Sequence, residues 1–178
     1  MSALALEDAK AHLNVTQNGN DAEIMRVVAS AEAAISRLVG PLEPTGLTVR
    51  VPGGVSLALP VRPAISLTSV TPVAGSALTL SDLYLNTTAA TVSYALGWRF
   101  SAVAYDVVYQ AGRTDVPDDL LLAVKELVRH MWESQRGGSQ RPGSRSPEAL
   151  SNTLPGAAYT FPIRVTELLA PHMSLGFA

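Results

Sequence analysis

Apolar side chains recur at helical spacing in the first part of the chain. A short amphipathic helix is marked by Leu4, Leu6, Ala9 and Leu13. A polar, turn-like stretch then leads to Asn20, which can cap a second helix because Glu23 follows three residues later. The second helix is predicted to end at Gly40-Pro41, and its single apolar stripe consists of Ile24, Val27, Val28, Ala31, Ile35 and Leu38.

The pattern changes between Gly46 and Gly112. Short runs of Val, Leu, Ile, Thr and Tyr are separated there by Pro and Gly, which is typical of strands joined by turns. Prolines at positions 60, 63 and 72 favour strand ends and sheet edges. We expect a compact antiparallel β element with strands near residues 47–51, 55–59, 65–70, 82–86, 91–96 and 105–110.

A long amphipathic helix is predicted to follow Pro117, which suits a first helical turn. Asp118 and Asp119 complement the helix dipole there. The expected buried stripe ends with Trp132 at its border and contains Leu120, Leu121, Val124, Leu127, Val128 and Met131. Residues 137–147 are almost all small, polar or helix-breaking, which predicts a flexible arm.

A second apolar patch lies near the C-terminus. Pro162 opens a short helix-like stretch with Val165, Leu168 and Leu169 on one side, and Pro171 closes it. Further apolar residues follow at Met173, Leu175 and Phe177. An apolar segment of this kind either folds back on its own core or binds a neighbour, and the sequence leaves both possibilities open.

These patterns predict an α+β fold within a single domain, which suits a chain of 178 residues. Two N-terminal helices and one long helix form a helical core, a small antiparallel β element is inserted into it, and an extended arm follows. The expected boundaries are 1–43 and 113–136 for the core, 44–112 for the β insert, 137–160 for the flexible arm and 161–178 for a C-terminal docking segment.

Composition adds a hint about partners. Only 16% of the residues are charged, against about 25% in an ordinary soluble domain, which indicates that part of the surface meets other protein surfaces. The net charge of −2 is unlike the basic footprint of a dedicated nucleic-acid binder. The absence of cysteine excludes disulfides. No apolar run is long enough to predict a membrane span, and Glu7 and Asp8 argue against a signal peptide.

No catalytic or metal-binding motif stands out. The chain has no phosphate-binding loop, no nucleophile elbow and no paired histidines at i, i+4. His12, His130 and His172 are far apart and lie in ordinary helical contexts. The best acidic cluster, at Asp115, Asp118 and Asp119, is explained more simply by a helix start. We therefore expect no enzyme, cofactor or metal. A small hydrolase is the alternative, and it would need a pocket that unites His130 with acidic residues.

A basic group offers another alternative. Arg129, Arg136, Arg141 and Arg145 lie along the predicted helix end and the arm, where they could contact DNA phosphates. A solvated helix end whose cations complement the C-terminal dipole explains the same residues. A small DNA-binding module is thus a second candidate function.

Three stretches together resemble the head–tail connector (adaptor) family of tailed bacteriophages. The first is Leu-Glu-Asp-Ala-Lys-Ala-His-Leu at 6–13, followed by Asn20-Asp21 and the helix end at 38–40. The second runs from Val-Val-Tyr-Gln-Ala-Gly at 107–112 through 116–120 to 132–137, and the third is 162–172. Shorter family members are nearly all helical, so the β element departs from their minimal form.

The resemblance implies a structural role in the virion neck, with synthesis in the cytoplasm of a bacterial host. Such subunits form a ring, commonly twelvefold, beneath the portal protein. The C-terminal segment grips the portal, a stopper or tail-completion protein binds the opposite face, and DNA passes through the lumen without sequence-specific binding. No cofactor, turnover or membrane is implied. The alternative is a protein on the tail side of the same virion neck, either a stopper or a tail-completion protein.

Candidate interface residues follow from this resemblance together with the apolar patches. We expect portal contacts from the C-terminal segment, at Phe161, Ile163, Val165, Leu168, Leu169, Pro171, His172, Met173, Leu175 and Phe177. Subunit-to-subunit contacts are expected at Arg129, Trp132 and Arg136.

Overall fold

The computed structural model describes residues 2–135 and 161–173. Within these residues the chain divides into two compact units, a β unit over Val39–Val116 and a helical unit over Ser2–Leu38 and the part from Pro117 onward. The elements of the described residues are α1 (Leu6–Leu13), α2 (Asp21–Val39), β1 (Thr45–Pro52), β2 (Ser56–Ala58), β3 (Ala64–Pro72), a 3-10 turn (Leu80–Asp82), β4 (Leu83–Asn86), β5 (Thr91–Tyr94), β6 (Ala104–Ala111), α3 (Asp118–Gln135), α4 (Ile163–Leu169) and a 3-10 turn (Ala170–His172).

The β unit consists of two antiparallel three-stranded sheets, with strand orders β1-β6-β3 and β2-β5-β4. Successive side chains of a strand point to opposite faces, and β6, the central strand of the first sheet, buries Tyr105, Val107, Tyr109 and Ala111 by this alternation. Both sheets contribute to one apolar core, which includes Val51, Leu57, Val70, Val92 and Val107.

Tyr109 ties the connection before β3 to this core. The backbone N–H of Val61 donates to the Tyr109 hydroxyl at 3.2 Å, and the hydroxyl donates to the Val61 carbonyl at 3.3 Å. Burial raises the pKa of Tyr109, and the backbone hydrogen bond at Val61 offsets part of that rise. The buried hydroxyl is therefore fully partnered, as a polar group inside a core must be.

The predicted fold class is wrong, because the β part is no small insert in a helical core. It is a unit with six strands, two sheets and its own apolar core among the described residues. The strands lie close to their predicted positions, but β6 pairs with β1 and β3 over long sequence distances, for example Val107 with Val49 and Val70. Local patterns show which residues face inward and not which strands pair, so the extent of the core was underestimated.

The helical unit is built around α3, against which α1 and α4 pack. The stripe of α2 is buried as predicted at Ile24, Val28 and Ile35. Lys10 of α1 is buried as well; its Nζ donates to Asn18 Oδ1 at 2.7 Å and lies 3.0 Å from Asp21 Oδ1. This ion pair fixes α1 to the start of α2, since a buried ammonium group requires partners.

Candidate protein interfaces

The C-terminal segment folds back on its own chain. Val165 and Leu169, one helical turn apart, are both fully buried on the side of α4 that packs against α3. Arg164 Nη1 lies 3.4 Å from Glu126 Oε1, and His172 Nε2 lies 2.6 Å from Asp119 Oδ2. Of the two possibilities that the sequence left open, the described residues 161–173 take the intramolecular one.

Asp119 is the polar anchor of this segment. Its Oδ1 accepts the backbone N–H of Leu120 at 2.8 Å, and its Oδ2 meets His172. The pKa of Asp119 is lowered, mainly by the hydrogen bond with His172, while partial burial opposes the shift. Its place in the first turn of α3 also suits a negative charge. Within the acidic cluster that the sequence shows, Asp119 therefore has a structural role: it connects the start of α3 to the C-terminal segment.

The predicted portal contacts divide into three groups in the structure. Ile163 (79% exposed), Pro171 and Met173 face solvent. Phe161, Leu168 and His172 are half-buried, whereas Val165 and Leu169 belong to the core of the helical unit. Leu175 and Phe177 lie outside the described residues. Among the described residues of the segment, the first group is therefore the most accessible to a partner.

Of the three predicted subunit contacts, the structure describes Arg129 and Trp132. Trp132 is only 5% exposed in the isolated chain, so its burial requires no second subunit. The Arg129 Nε donates to Glu133 Oε1 at 2.9 Å, in an exposed i, i+4 pair along α3. Arg136, Arg141 and Arg145 lie outside the described residues, so of the candidate DNA-binding arginines the structure places only Arg129.

Candidate chemistry is sparse in the described part of the chain. Residues 2–135 and 161–173 contain no group of three or more His, Asp or Glu side chains that could hold a metal ion. His130 is half-buried, and its Nε2 has no hydrogen-bond partner within these ranges. Among the helices of the same ranges, none combines the length and apolarity that crossing a bilayer demands.

One surface was missed by the sequence analysis. The chain enters the β unit at the start of β1 and leaves it at the end of β6, where Thr45 pairs with Ala111. At the opposite end of this sheet, Pro52 pairs with Ala104. Three loops meet at that end, 53–55, 73–79 and 95–103, and we call them the β tip.

Backbone hydrogen bonds hold the β tip together. Gly53 N–H donates to the Val103 carbonyl at 3.0 Å, and Phe100 N–H donates to the Gly54 carbonyl at 2.8 Å. Val73 N–H donates to the carbonyl of Ala104, the first residue of β6, at 3.1 Å. The loops are thus fixed to one another and to the sheet, although they carry little regular secondary structure.

The β tip exposes large apolar side chains. Val103 is 94% exposed, Leu96 75% and Trp98 62%, and Val55 and Val73 are also more than half exposed. Arg99 is the single charged residue of the three loops. No local sequence signal could have separated these residues from core positions, because a short apolar run next to Gly or Pro does not show by its periodicity whether its side chains are buried.

A row of aromatic rings connects the β tip to the core. Trp98 lies 5.9 Å from Tyr94 between ring centroids, Tyr94 lies 4.6 Å from Phe100, and Phe100 lies 5.2 Å from Tyr105. Burial raises the pKa of Tyr94. Contacts at these distances are typical of favourable aromatic pairs, so the exposed indole of Trp98 is held in place.

The sequence matches no protein-family model and no curated protein. Solved structures do share the fold. A chain in the neck of an empty GTA (gene transfer agent) particle, computed with C6 symmetry, superposes with a TM-score of 0.66 at 17% identity, covering 99% of this chain and 92% of that one. A chain in the neck of a native GTA particle, computed with C12 symmetry, gives a TM-score of 0.62 at 16% identity, with coverages of 99% and 91%. This chain therefore has the fold of neck proteins from phage-like particles.

Proposed function

We propose that the chain is a structural neck protein of a phage-like particle, a head–tail connector that works as a ring of copies and has no catalytic role. The observation that carries the proposal is the fold match over nearly the full length of both chains. The matched chains come from necks computed with C12 and C6 symmetry, which supports a cyclic assembly. The low content of charged residues agrees with extensive burial between proteins.

In the adaptor position, the ring joins the portal protein on one side to a stopper or tail-completion protein on the other, and DNA passes through its lumen. The portal contact then comes from the solvent-facing side of the C-terminal segment, at Ile163, Pro171 and Met173. The expected location is the virion neck, after synthesis in the host cytoplasm. A ring adds many modest contacts at once, so each one can be weak.

Native mass spectrometry of the purified protein tests this function, alone and mixed with the portal protein encoded in the same genome. A discrete complex with about one copy per portal subunit is expected. Association with a tail-side protein and not with the portal would move the chain to the stopper or tail-completion position. Association with no neck component over a range of salt and protein concentrations would overturn the proposal.

The portal contact has its own test. Ile163→Asp and Met173→Asp place a carboxylate on the exposed side of the C-terminal segment, and both are expected to weaken portal binding about tenfold or more, as loss of an apolar anchor does. Thr166→Asp adds the same charge at an exposed polar position of α4 and serves as the matched control. Equal binding by all three variants would contradict a portal contact through Ile163 and Met173.

A further inference from the structure

We propose that the β tip is the surface through which one copy of this chain binds the next copy in the ring. The inference rests on the proposed function, because it assumes a ring. It names a surface that lies outside all of the residues predicted as contacts from the sequence, at the end of the β unit where the chain neither enters nor leaves.

The amount of apolar surface supports a binding role. Isolated exposed apolar residues are normal on soluble proteins, but the β tip gathers Val55, Val73, Leu96, Trp98 and Val103 on three hydrogen-bonded loops. The largest apolar patch of a typical monomer covers roughly 300–600 Å² and is often functional. Five large apolar side chains, each more than half exposed on the same three loops, go beyond isolated exposure.

The size of the patch also favours a second copy as the partner. A stable one-to-one complex buries about 800 Å² and about 20–30 residues on each side, whereas the tip exposes five large apolar side chains. In a closed ring every copy is held by two neighbours, so a contact too weak for an isolated pair suffices. The tip is therefore better suited to a repeated contact than to a solitary partner.

Cyclic symmetry determines what the tip meets. Around a ring the contacts are head-to-tail, so each copy uses two different surfaces. The tip of one copy then binds a different surface of its neighbour. Arg99 is the one charge on the tip, so an apolar neighbouring surface with a carboxylate that faces the guanidinium group would complement it. The chain supplies acidic groups in slight excess, with a net charge of −2.

Trp98 is the expected centre of the contact. Tryptophan and arginine are enriched among residues that dominate binding energy, and they stand next to each other here. The tilted contact between the Trp98 and Tyr94 rings, whose centroids are 5.9 Å apart, limits the freedom that the indole would lose on binding.

Sedimentation velocity of the full chain over a wide concentration range tests the inference. The wild-type protein is expected to self-associate reversibly. Leu96→Ser and Trp98→Ser are expected to raise the dissociation constant about tenfold or more, with unchanged far-UV circular dichroism. Tyr84→Ser removes an aromatic side chain of β4 that is 60% exposed, nearly as much as Trp98, and that lies outside the three loops; it is the matched control and is expected to associate like the wild type.

A second readout follows the tryptophans directly. Trp132 is buried and Trp98 is exposed in the single chain, so acrylamide quenches one of the two in the monomer. Assembly is expected to protect Trp98 and to reduce this quenching as concentration rises.

The results separate the inference from the proposed function. The wild-type chain could bind the portal and yet show no contact between its own copies, either free in solution at any concentration or bound to the portal. That result would overturn the tip contact and leave the neck role standing. Self-association that survives both tip substitutions, or that falls equally with Tyr84→Ser, would also overturn it. Self-association lost with the tip variants, but without any neck partner, would support the tip contact and contradict the neck role.

Discussion

At the scale of single residues, the Asp119 carboxylate joins the first turn of α3 to the turn after α4. Its pKa is lower in the folded chain than in the unfolded one, so the ionised group stabilises the fold at pH values above its unfolded pKa of about 3.9. This contribution is lost as the pH falls through the lower folded pKa. Because the side chain is partly exposed, the contribution is small, at most about 1 kcal/mol.

Asp119→Asn is therefore expected to lower the free energy of unfolding at neutral pH and to match the wild type once the pH is well below about 4. Urea titrations across a pH series measure this difference. Asp118→Asn changes the same charge in the same helical turn without removing the bond to His172, so it is the control. A deficit of Asp119→Asn that does not change with pH would show that the carboxylate's ionisation is not responsible.

At the scale of elements, α4 is held to α3 by a small apolar contact. Leu169→Ala removes a fully buried side chain, and deletions of this kind cost about 2–5 kcal/mol. We expect the free energy of unfolding to fall by about 2 kcal/mol, at the low end of this range, because the short helix α4 can detach before the rest of the unit unfolds. Hydrogen exchange of the α4 amides should accelerate more than that of α2.

Ile163→Ala at the exposed start of the same helix is the comparison for Leu169→Ala, with an expected change within about 0.5 kcal/mol. If both variants opened α4 to the same extent, burial of Leu169 against α3 would not be what holds the segment.

The β tip depends on close backbone approach at Gly53. A Cβ atom at this position would collide with the carbonyl oxygen of Ala102, whereas one at Gly54 would meet only Ser56 O, at 3.6 Å. Gly53→Ala is expected to cost about 1–3 kcal/mol, as overpacking does, and to disturb the loop that carries Trp98. Thermal unfolding and tryptophan emission measure the two effects.

Gly54→Ala is the neighbouring control for this substitution, and it should leave both unfolding and emission close to those of the wild type. Equal destabilisation by the two variants would place the cause in backbone freedom and not in the contact with Ala102.

At the scale of the whole molecule, the charge balance bears on the DNA-binding alternative. Affinity for duplex DNA comes mainly from neutralised phosphates and falls steeply with salt. The chain has a net charge of −2, and Arg129 is engaged with Glu133. We expect no binding to random duplex tighter than about 10⁻⁴ M at physiological salt, measured by fluorescence anisotropy.

A variant with Arg129, Arg136, Arg141 and Arg145 all changed to Ala is the comparison for the DNA experiment. Tight, salt-dependent binding by the wild type that this variant loses would establish the DNA-binding module. It would also remove the assumption that DNA only passes through the ring.

The sequence determined the elements of this protein, because their signals are local. The apolar stripe of α2, the acidic start of α3 after Pro117 and the alternation along β6 each follow from spacing within a few residues. The resemblance to phage connectors also came from local stretches, and it agrees with the shared fold of the GTA neck chains.

The tertiary structure decided how these elements combine. Pairing of β6 with β1 and β3, which makes the β part a unit of its own, depends on residues far apart in sequence. Burial of Leu169 and exposure of Trp98 were likewise beyond the sequence. The sequence shows that an apolar side chain is more stable out of water. Whether the core of the same chain or another molecule covers that side chain depends on the tertiary packing.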